Sequence, residues 1–302
     1  MKKIGGIQLN SRKLEFPFIY INGNYQVHIR EDGTKIRVSV NDEDFFPTRP
    51  ETIDVNISNY CEHNCPFCYI DAGTDKPHGN LNMKLFDNIK PGTELAINYA
   101  KHPGLLDFLY RMEKQRVIVN MTVNQKDLED SGSRMMFQLL LDTKLITGLG
   151  VSVNSVQTLR RLDSDNIVYH VIVGITPITA IEELIRRKGK ILFLGYKTKG
   201  RGSSITPSRM DAYRENISRL MTLNESIFSF DNLALEQLGI EKLVSEETWL
   251  RNYMGDEGQF SMYLDTVQEK YYRSSTEEIG YMVVGEDISK LFNNIRNMIR
   301  KS

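Results

Sequence analysis

Cysteine is scarce in this chain of 302 residues: three occur, and all lie between Cys61 and Cys68. Sulfurs so few and so close cannot build a disulfide framework, whereas a reducing compartment leaves such thiols free to bind metal. No run of about 18 or more apolar residues is present, so no membrane-spanning helix is expected. Residues 1–16, MKKIGGIQLNSRKLEF, also lack the apolar core of a signal peptide, and a cytoplasmic location is expected. Nor is there an excess of charge: at a formal net charge of −1, no global field draws the chain to nucleic acid or to an anionic membrane. Any basic site must be local. Low-complexity tracts, recognisable nucleic-acid-binding appendages and the GKS/T order of a P-loop are absent too.

What is present is an ordinary globular composition, 40% hydrophobic and 25% charged, long enough to bury a large core. Residues 1–50 read as β structure: FIYINGNYQVHI, a turn at Asp32-Gly33, and KIRVSV. Strands are then expected at 52–58, 94–99, 117–123, 148–153, 168–175 and 190–196. Most are separated by segments such as GLLDFLYRMEKQ, SRMMFQLLLDT and ITAIEELIRRKG, whose apolar residues recur at three and four. Strands apolar on both faces suit a parallel sheet under helices, and six βα units in a row imply a parallel sheet or an open barrel. Right-handed connections gather the loops that follow the strands on one face, where chemistry is expected. Beyond residue 205 the rhythm changes. A helix from PSRMDAYRENISRLMTLN, a strand running into a helix in SIFSFDNLALEQL, a hairpin in FSMYLDTVQEKYYRSST and a last amphipathic helix, DISKLFNNIRNMIRKS, are expected there. The chain divides accordingly into 1–50, 51–205 and 206–302.

Three thiolates on one loop suit zinc or an iron-sulfur cluster. Zinc needs a fourth ligand, for which His63 and His78 are the candidates, and no second CxxC knuckle occurs. A 4Fe-4S cluster held by three cysteines keeps an open coordination site on one iron. Cys61, Cys65 and Cys68 stand as C-x3-C-x2-C in CEHNCPFC, with an aromatic just before the last cysteine, directly after the first strand of the series. This loop resembles the signature of the radical S-adenosylmethionine superfamily, and the likeness covers roughly residues 50–200.

The resemblance implies an α/β fold, a partial (β/α)6 TIM-like barrel, here with an N-terminal β-hairpin and a C-terminal α+β extension. It further implies one 4Fe-4S cluster on the three cysteines, S-adenosylmethionine as second cofactor, and a one-electron donor such as flavodoxin or ferredoxin. Phe67 is then expected near the adenine. The pattern departs from the family at the second strand, ELAINYAKHPGLLDFL, where a GGEP-like turn is missing; the Asn98 side-chain carbonyl or a backbone carbonyl of the shortened turn Asn98-Tyr99-Ala100 is the candidate acceptor for the cofactor's amino group.

Asn120, Thr122 and Asn124 alternate along the third strand, and Ser152 and Asn154 along the fourth, as a polar interior requires. Thr122, Ser152, Asn154 and Gly174 are the further cofactor candidates. GYKTKGRGSS follows the sixth strand, and its Lys199 and Arg201 form a candidate substrate or anion site. Tyr99, Tyr196 and Lys197 are the catalytic candidates. His170, alternating with valines, reads as a core or inner-face residue. The substrate expected is a peptide or amino-acid-like molecule, with a nucleotide or nucleobase as alternative. From another class, a zinc-stabilised binding protein without catalysis is the rival.

Overall fold

In Thr52-Ile-Asp-Val-Asn56 apolar and polar residues alternate, and a strand must therefore present two unlike faces. That alternation organises the whole molecule. The computed structural model describes residues 3–4, 7–8, 15–39, 44–222 and 226–299. β1 (Lys3–Ile4) pairs antiparallel with β2 (Ile7–Gln8). β3 (Phe18–Asn22), β4 (Tyr25–Ile29) and β5 (Lys35–Ser39) form an antiparallel three-stranded sheet. The expected hairpin thus gains a strand, because FIYINGNYQVHI folds back on itself at Gly23. That glycine has φ +65°, and a Cβ there would lie 1.7 Å from the Phe46 carbonyl oxygen.

The main sheet takes β6 (Thr52–Asn56), β7 (Glu94–Asn98), β8 (Ile118–Asn124), β9 (Gly148–Ser152), β10 (Ile167–Ile172), β11 (Lys190–Leu194) and β12 (Ile227–Phe230) side by side in chain order, all parallel. β13 (Ser261–Asp265) lies parallel on the outer side of β6, and β14 (Lys270–Tyr272) and β15 (Tyr281–Met282) extend that edge antiparallel. The sheet therefore begins at β12 and ends at β15. It also runs across the boundary expected at residue 205, since β12 and β13 belong to it.

Helices are α1 (Leu105–Lys114), α2 (Ser131–Asp142), α3 (Ile178–Arg186), α4 (Met210–Thr222), α5 (Asn232–Leu238), α6 (Glu246–Asn252) and α7 (Ile288–Ile299). They follow β7, β8, β10, β11, β12 and β15, but no α-helix separates β6 from β7 or β9 from β10. Six uninterrupted βα units are thus not what the chain forms. The cysteine loop and a short 3-10 turn at Lys84–Asn88 fill the first of these connections.

One face of the sheet is dry. Ile53, Val55, Leu95, Ile97, Val119, Met121, Leu149, Val151, Val171, Ile191 and Phe193 are each at most 2% exposed and pack in one core with Phe108, Phe137, Leu184, Ile217 and Phe292 of the helices. Burying each such side chain contributes roughly 1.5–3 kcal/mol before the entropy of ordering it. The alternate positions carry Thr52, Asp54, Glu94, Asn98, Asn120, Thr122, Asn124, Ser152 and His170. A second, polar face results, as the alternation of Asn120, Thr122 and Asn124 implies.

Candidate functional site

The cysteine loop leaves the C-terminal end of β6, and backbone hydrogen bonds close it on itself. Cys61 N–H donates to the Gly73 carbonyl at 3.1 Å, Gly73 N–H to Asn59 at 3.0 Å, and Gly79 N–H to Ile57 at 2.9 Å. Asn98, at the end of β7, fixes its root: Asn98 Oδ1 accepts the Ile57 N–H at 2.8 Å and Asn98 Nδ2 donates to the Ser58 carbonyl at 3.0 Å. The Asn98 carboxamide is therefore engaged with the backbone at the root of the loop.

All three sulfurs are half-buried, unbridged and supplied with N–H donors. Cys61 Sγ accepts from His63 N–H at 3.5 Å, Cys68 Sγ from Ala72 N–H at 3.4 Å, and Cys65 Sγ from Asn124 Nδ2 at 3.8 Å. Burial pushes the Cys61 and Cys65 thiols up, and the neighbouring cysteines add to it. Thiols crowded in this way favour a cationic partner that takes up their charge and releases their protons. Among the described residues no three His, Cys, Asp or Glu side chains are gathered closely enough to surround a single metal ion. The donor set, three cysteines with N–H groups directed at their sulfurs, fits a cluster that takes one sulfur per iron. Both histidines of the zinc alternative have other partners. His63 Nε2 pairs with Asp127 Oδ1 at 2.8 Å, and His78 Nδ1 meets Ser58 Oγ at 2.9 Å with its ring against Tyr60 and His102.

The loop after β11 grips the cysteine loop rather than standing open. Arg201 Nε donates to the Cys65 carbonyl at 3.0 Å, its NH1 to Asp71 Oδ1 at 2.7 Å, and its backbone N–H to the Cys68 carbonyl at 3.0 Å. Gly200, at φ +53°, permits this approach, because a Cβ would lie 2.7 Å from the Cys68 carbonyl oxygen. Lys199 Nζ is bonded to the Glu277 carbonyl, and Lys197 Nζ to Ser275 Oγ at 2.7 Å while lying 4.2 Å from the centre of the Tyr69 ring. The basic residues expected to meet a substrate anion are engaged with protein groups: backbone carbonyls, Asp71 and the Ser275 hydroxyl.

Two catalytic candidates lie away from the polar face. Tyr99 falls on the helix side by strand parity, its ring edge-on to Phe137 of α2 at 4.8 Å. Tyr196 is 3% exposed and donates its hydroxyl to the Gly202 carbonyl at 2.6 Å, which shapes the loop. Gly174 is pressed by Pro207 and Met210, so its φ of +77° serves packing. Asn154 hydrogen-bonds Asn124 at 3.4 Å and through it stands one residue from Cys65, while Ser152 and Thr122 occupy the polar face; Phe67 is half-buried in the loop. Thr122 lines a cavity of about 390 Å3 together with Asn120, Gly150, His170 and Ser229.

Asp127 and Asp54 went unnoticed in the sequence. Nothing near Asp127 announces its partner, but Asp54 is the one charged residue of its strand. It is accessible yet walled by protein, and burial, opposed by Lys197 and aided by Glu94, Asp231 and Glu257, pushes its carboxyl up to about 6.

No protein-family model matches the chain, and no curated protein matches it. Among solved structures, native anSMEcpe with bound AdoMet is similar at TM-score 0.51 and 12% identity, over 81% of this chain and 79% of that chain. A histidine-tagged form of anSMEcpe, also with bound AdoMet, gives 0.43 at 12% identity over 82% and 77%. The first of these likenesses shows a shared fold: a mixed α/β architecture built on a large parallel sheet.

Proposed function

We propose that this chain is a radical S-adenosylmethionine enzyme carrying a single 4Fe-4S cluster on Cys61, Cys65 and Cys68. The observation that carries this reading is the placement of the cysteine loop. It leaves the first strand of a sequential parallel sheet, each sulfur accepts an N–H, and Asn98 and Arg201 hold it from two sides. The fold shared with anSMEcpe, whose structure holds bound AdoMet, supports it. Parallel strands following one another in chain order from β6 to β12 are compatible with the opened barrel expected of such enzymes, and residues 206–302 supply strands at both margins of that sheet.

When bound, such a cluster supplies the electron that splits S-adenosylmethionine into methionine and a 5′-deoxyadenosyl radical, which takes a hydrogen atom from substrate. The protein's own part is positional. N–H groups directed at the sulfurs stabilise the thiolates, the two-sided grip keeps the loop from spreading, and Asn124, tied to Asn154, reaches Cys65 from the polar face. Thr122 and Ser152 on that face, and Phe67 beside the last cysteine, would be the residues to meet the cofactor. A flavodoxin or ferredoxin donor and a reducing, cytoplasmic setting fit this chemistry. A peptide or amino-acid-like substrate is favoured over a nucleotide, because the basic loop that suggested phosphate is occupied by protein groups.

Anaerobic reconstitution with iron and sulfide, followed by dithionite and S-adenosylmethionine, tests the reading. The expected outcome is a brown protein with about four irons per chain that forms 5′-deoxyadenosine, and a Cys65→Ala variant that does neither. A colourless zinc protein, or a brown one that forms no 5′-deoxyadenosine, overturns it.

A further inference from the structure

The main sheet does not join β12 to β13 or β14, so a seam separates its two margins. Side-chain bonds cross this seam: Asn232 Nδ2 to the Gly255 carbonyl at 3.1 Å, and Lys197 Nζ to Ser275 Oγ at 2.7 Å. Above it lies a groove of about 670 Å3 lined from both margins, by α5 on the β12 side and by Arg273 and Thr276 on the β14 side, with α6 and residues 253–257 between them.

The groove's chemistry is one-sided. Trp249 and Tyr253 stack at 4.6 Å between ring centres with planes 16° apart. Beside them Glu236, Glu241, Asp256 and Glu257 line the groove, and none of the four has an ion pair among the described residues. Of the two lining cations, Arg273 is paired with Glu277, which leaves Lys242 against four carboxylates. α6 buries none of its residues, and Leu250 and Met254, next in sequence to Trp249 and Tyr253, are 72% and 47% exposed.

An independent feature lies behind the seam. The Asp54 carboxylate, accessible on the polar face of β6, makes no hydrogen bond or ion pair among the described residues. Glu257 belongs to the groove and is also one of the charges that Asp54 feels, so negative potential continues from the groove toward the polar face. Thr276 adjoins Ser275, whose partner Lys197 lies on the ring of Tyr69, the residue after Cys68. The groove and the cysteine loop are thus joined by a short chain of contacts.

We propose that this groove receives a positively charged segment of a polypeptide, an arginine or lysine side chain lying on the Trp249–Tyr253 pair with its cation among Glu236, Glu241, Asp256 and Glu257. Stacked aromatics offer a cation a favourable face, and carboxylates without a cationic partner, of which Asp256 and Glu257 already accept the hydroxyls of Tyr253 and Thr276, add directional acceptors that an arginine fork uses best. An anionic ligand would meet repulsion here. The inference rests on the proposed function only in taking the occupant for substrate, since binding itself needs no cluster.

Trp249 is the chain's one tryptophan, so its fluorescence reports on the groove alone. The full-length protein, reconstituted or not, is titrated with a short arginine-rich peptide and with a glutamate-rich peptide of equal length. The expected result is a saturable change with the arginine peptide only. Kd should weaken at least about tenfold in a Glu236→Gln/Glu241→Gln variant, and also as salt rises, because the Debye length shrinks from about 10 Å at 0.1 M to about 3 Å at 1 M. Both glutamates are exposed, and their amides leave the fold intact; the salt series on the unmodified chain stands regardless. Equal responses to the two peptides, or arginine-peptide binding unmoved by both substitution and salt, overturns the proposal. Peptide binding without 5′-deoxyadenosine formation sinks the enzymatic reading and spares the groove; the converse does the opposite.

Discussion

The Arg201 guanidinium donates to the Cys65 carbonyl at 3.0 Å, and thereby binds the loop after β11 to the loop after β6. Residues 136 positions apart in the chain meet at the sulfurs. Several consequences of the packing around the site can be measured.

Arg201→Ala removes that bond and the one to Asp71, and leaves the Cys65 carbonyl to water. The Asp71 carboxylate is half-exposed, so solvent screens the ion pair and it contributes little, while the hydrogen bond to the carbonyl is worth about 1–3 kcal/mol. The variant should retain several-fold less iron than the parent after reconstitution and desalting. Arg201→Lys should not restore it, because an ammonium cannot span both acceptors in the fork geometry. Iron per chain after gel filtration decides the matter, and parental retention in the alanine variant would contradict this role.

Gly150 and His170 are matched in shape. A Cβ on Gly150 would lie 2.3 Å from His170 Cε1, so Gly150→Ala should cost about 1–3 kcal/mol in urea unfolding through overpacking. In a His170→Ala background the same substitution should cost less than about 0.5 kcal/mol, since nothing is left to strike. Equal costs in both backgrounds would refute the contact.

The same histidine makes stability depend on pH. Burial pushes His170 down to about 4, and its Nδ1 has no hydrogen-bond partner among the described residues. The native protein therefore binds fewer protons here than the unfolded chain does between about pH 6.5 and about 4. The stabilisation is complete above pH 6.5 and is lost as pH falls toward 4, by about 3 kcal/mol in all. Unfolding free energies of the parent and of His170→Gln, compared at intervals from pH 7 to about 4, should converge across that window. Parallel curves would show that the imidazole is not held neutral.

Arg37 carries the three-stranded sheet onto the main one. Its Nε and NH2 grip Glu51 at 2.9 and 3.1 Å, with side chains 9% and 1% exposed, and Tyr25 donates to the same carboxylate at 2.5 Å. Arg37→Met strands a buried carboxylate and should cost about 3–5 kcal/mol, of which a further Glu51→Leu should recover most. Denaturation midpoints at neutral pH measure both. A single substitution without effect would mean that the pair is solvated.

Local pattern carried much of this architecture. Ile53, Val55, Val119 and Met121 alternate with polar neighbours, and period-two alternation places residues on opposite faces whatever surrounds the strand. The parallel strands, the helices after β7, β8 and β10, and the crowding of cysteines after β6 were legible for that reason. The partners of Lys199, Arg201, Tyr99 and Tyr196 are not legible in the sequence, because composition reports charge and reactivity, not contacts. Each depends on contacts from distant chain: Glu277, Asp71, Phe137 of α2 and the Gly202 carbonyl.

By itself, then, the sequence determined which side of each strand faces water and that three thiols share one loop, since both follow from spacing along the backbone. Only the tertiary structure decided that Asn98 and Arg201 clamp that loop and that an acidic, aromatic groove spans the open seam. Hydrogen bonds and charge pairing act across a few ångströms of space, and folding alone determines which distant residues come that close.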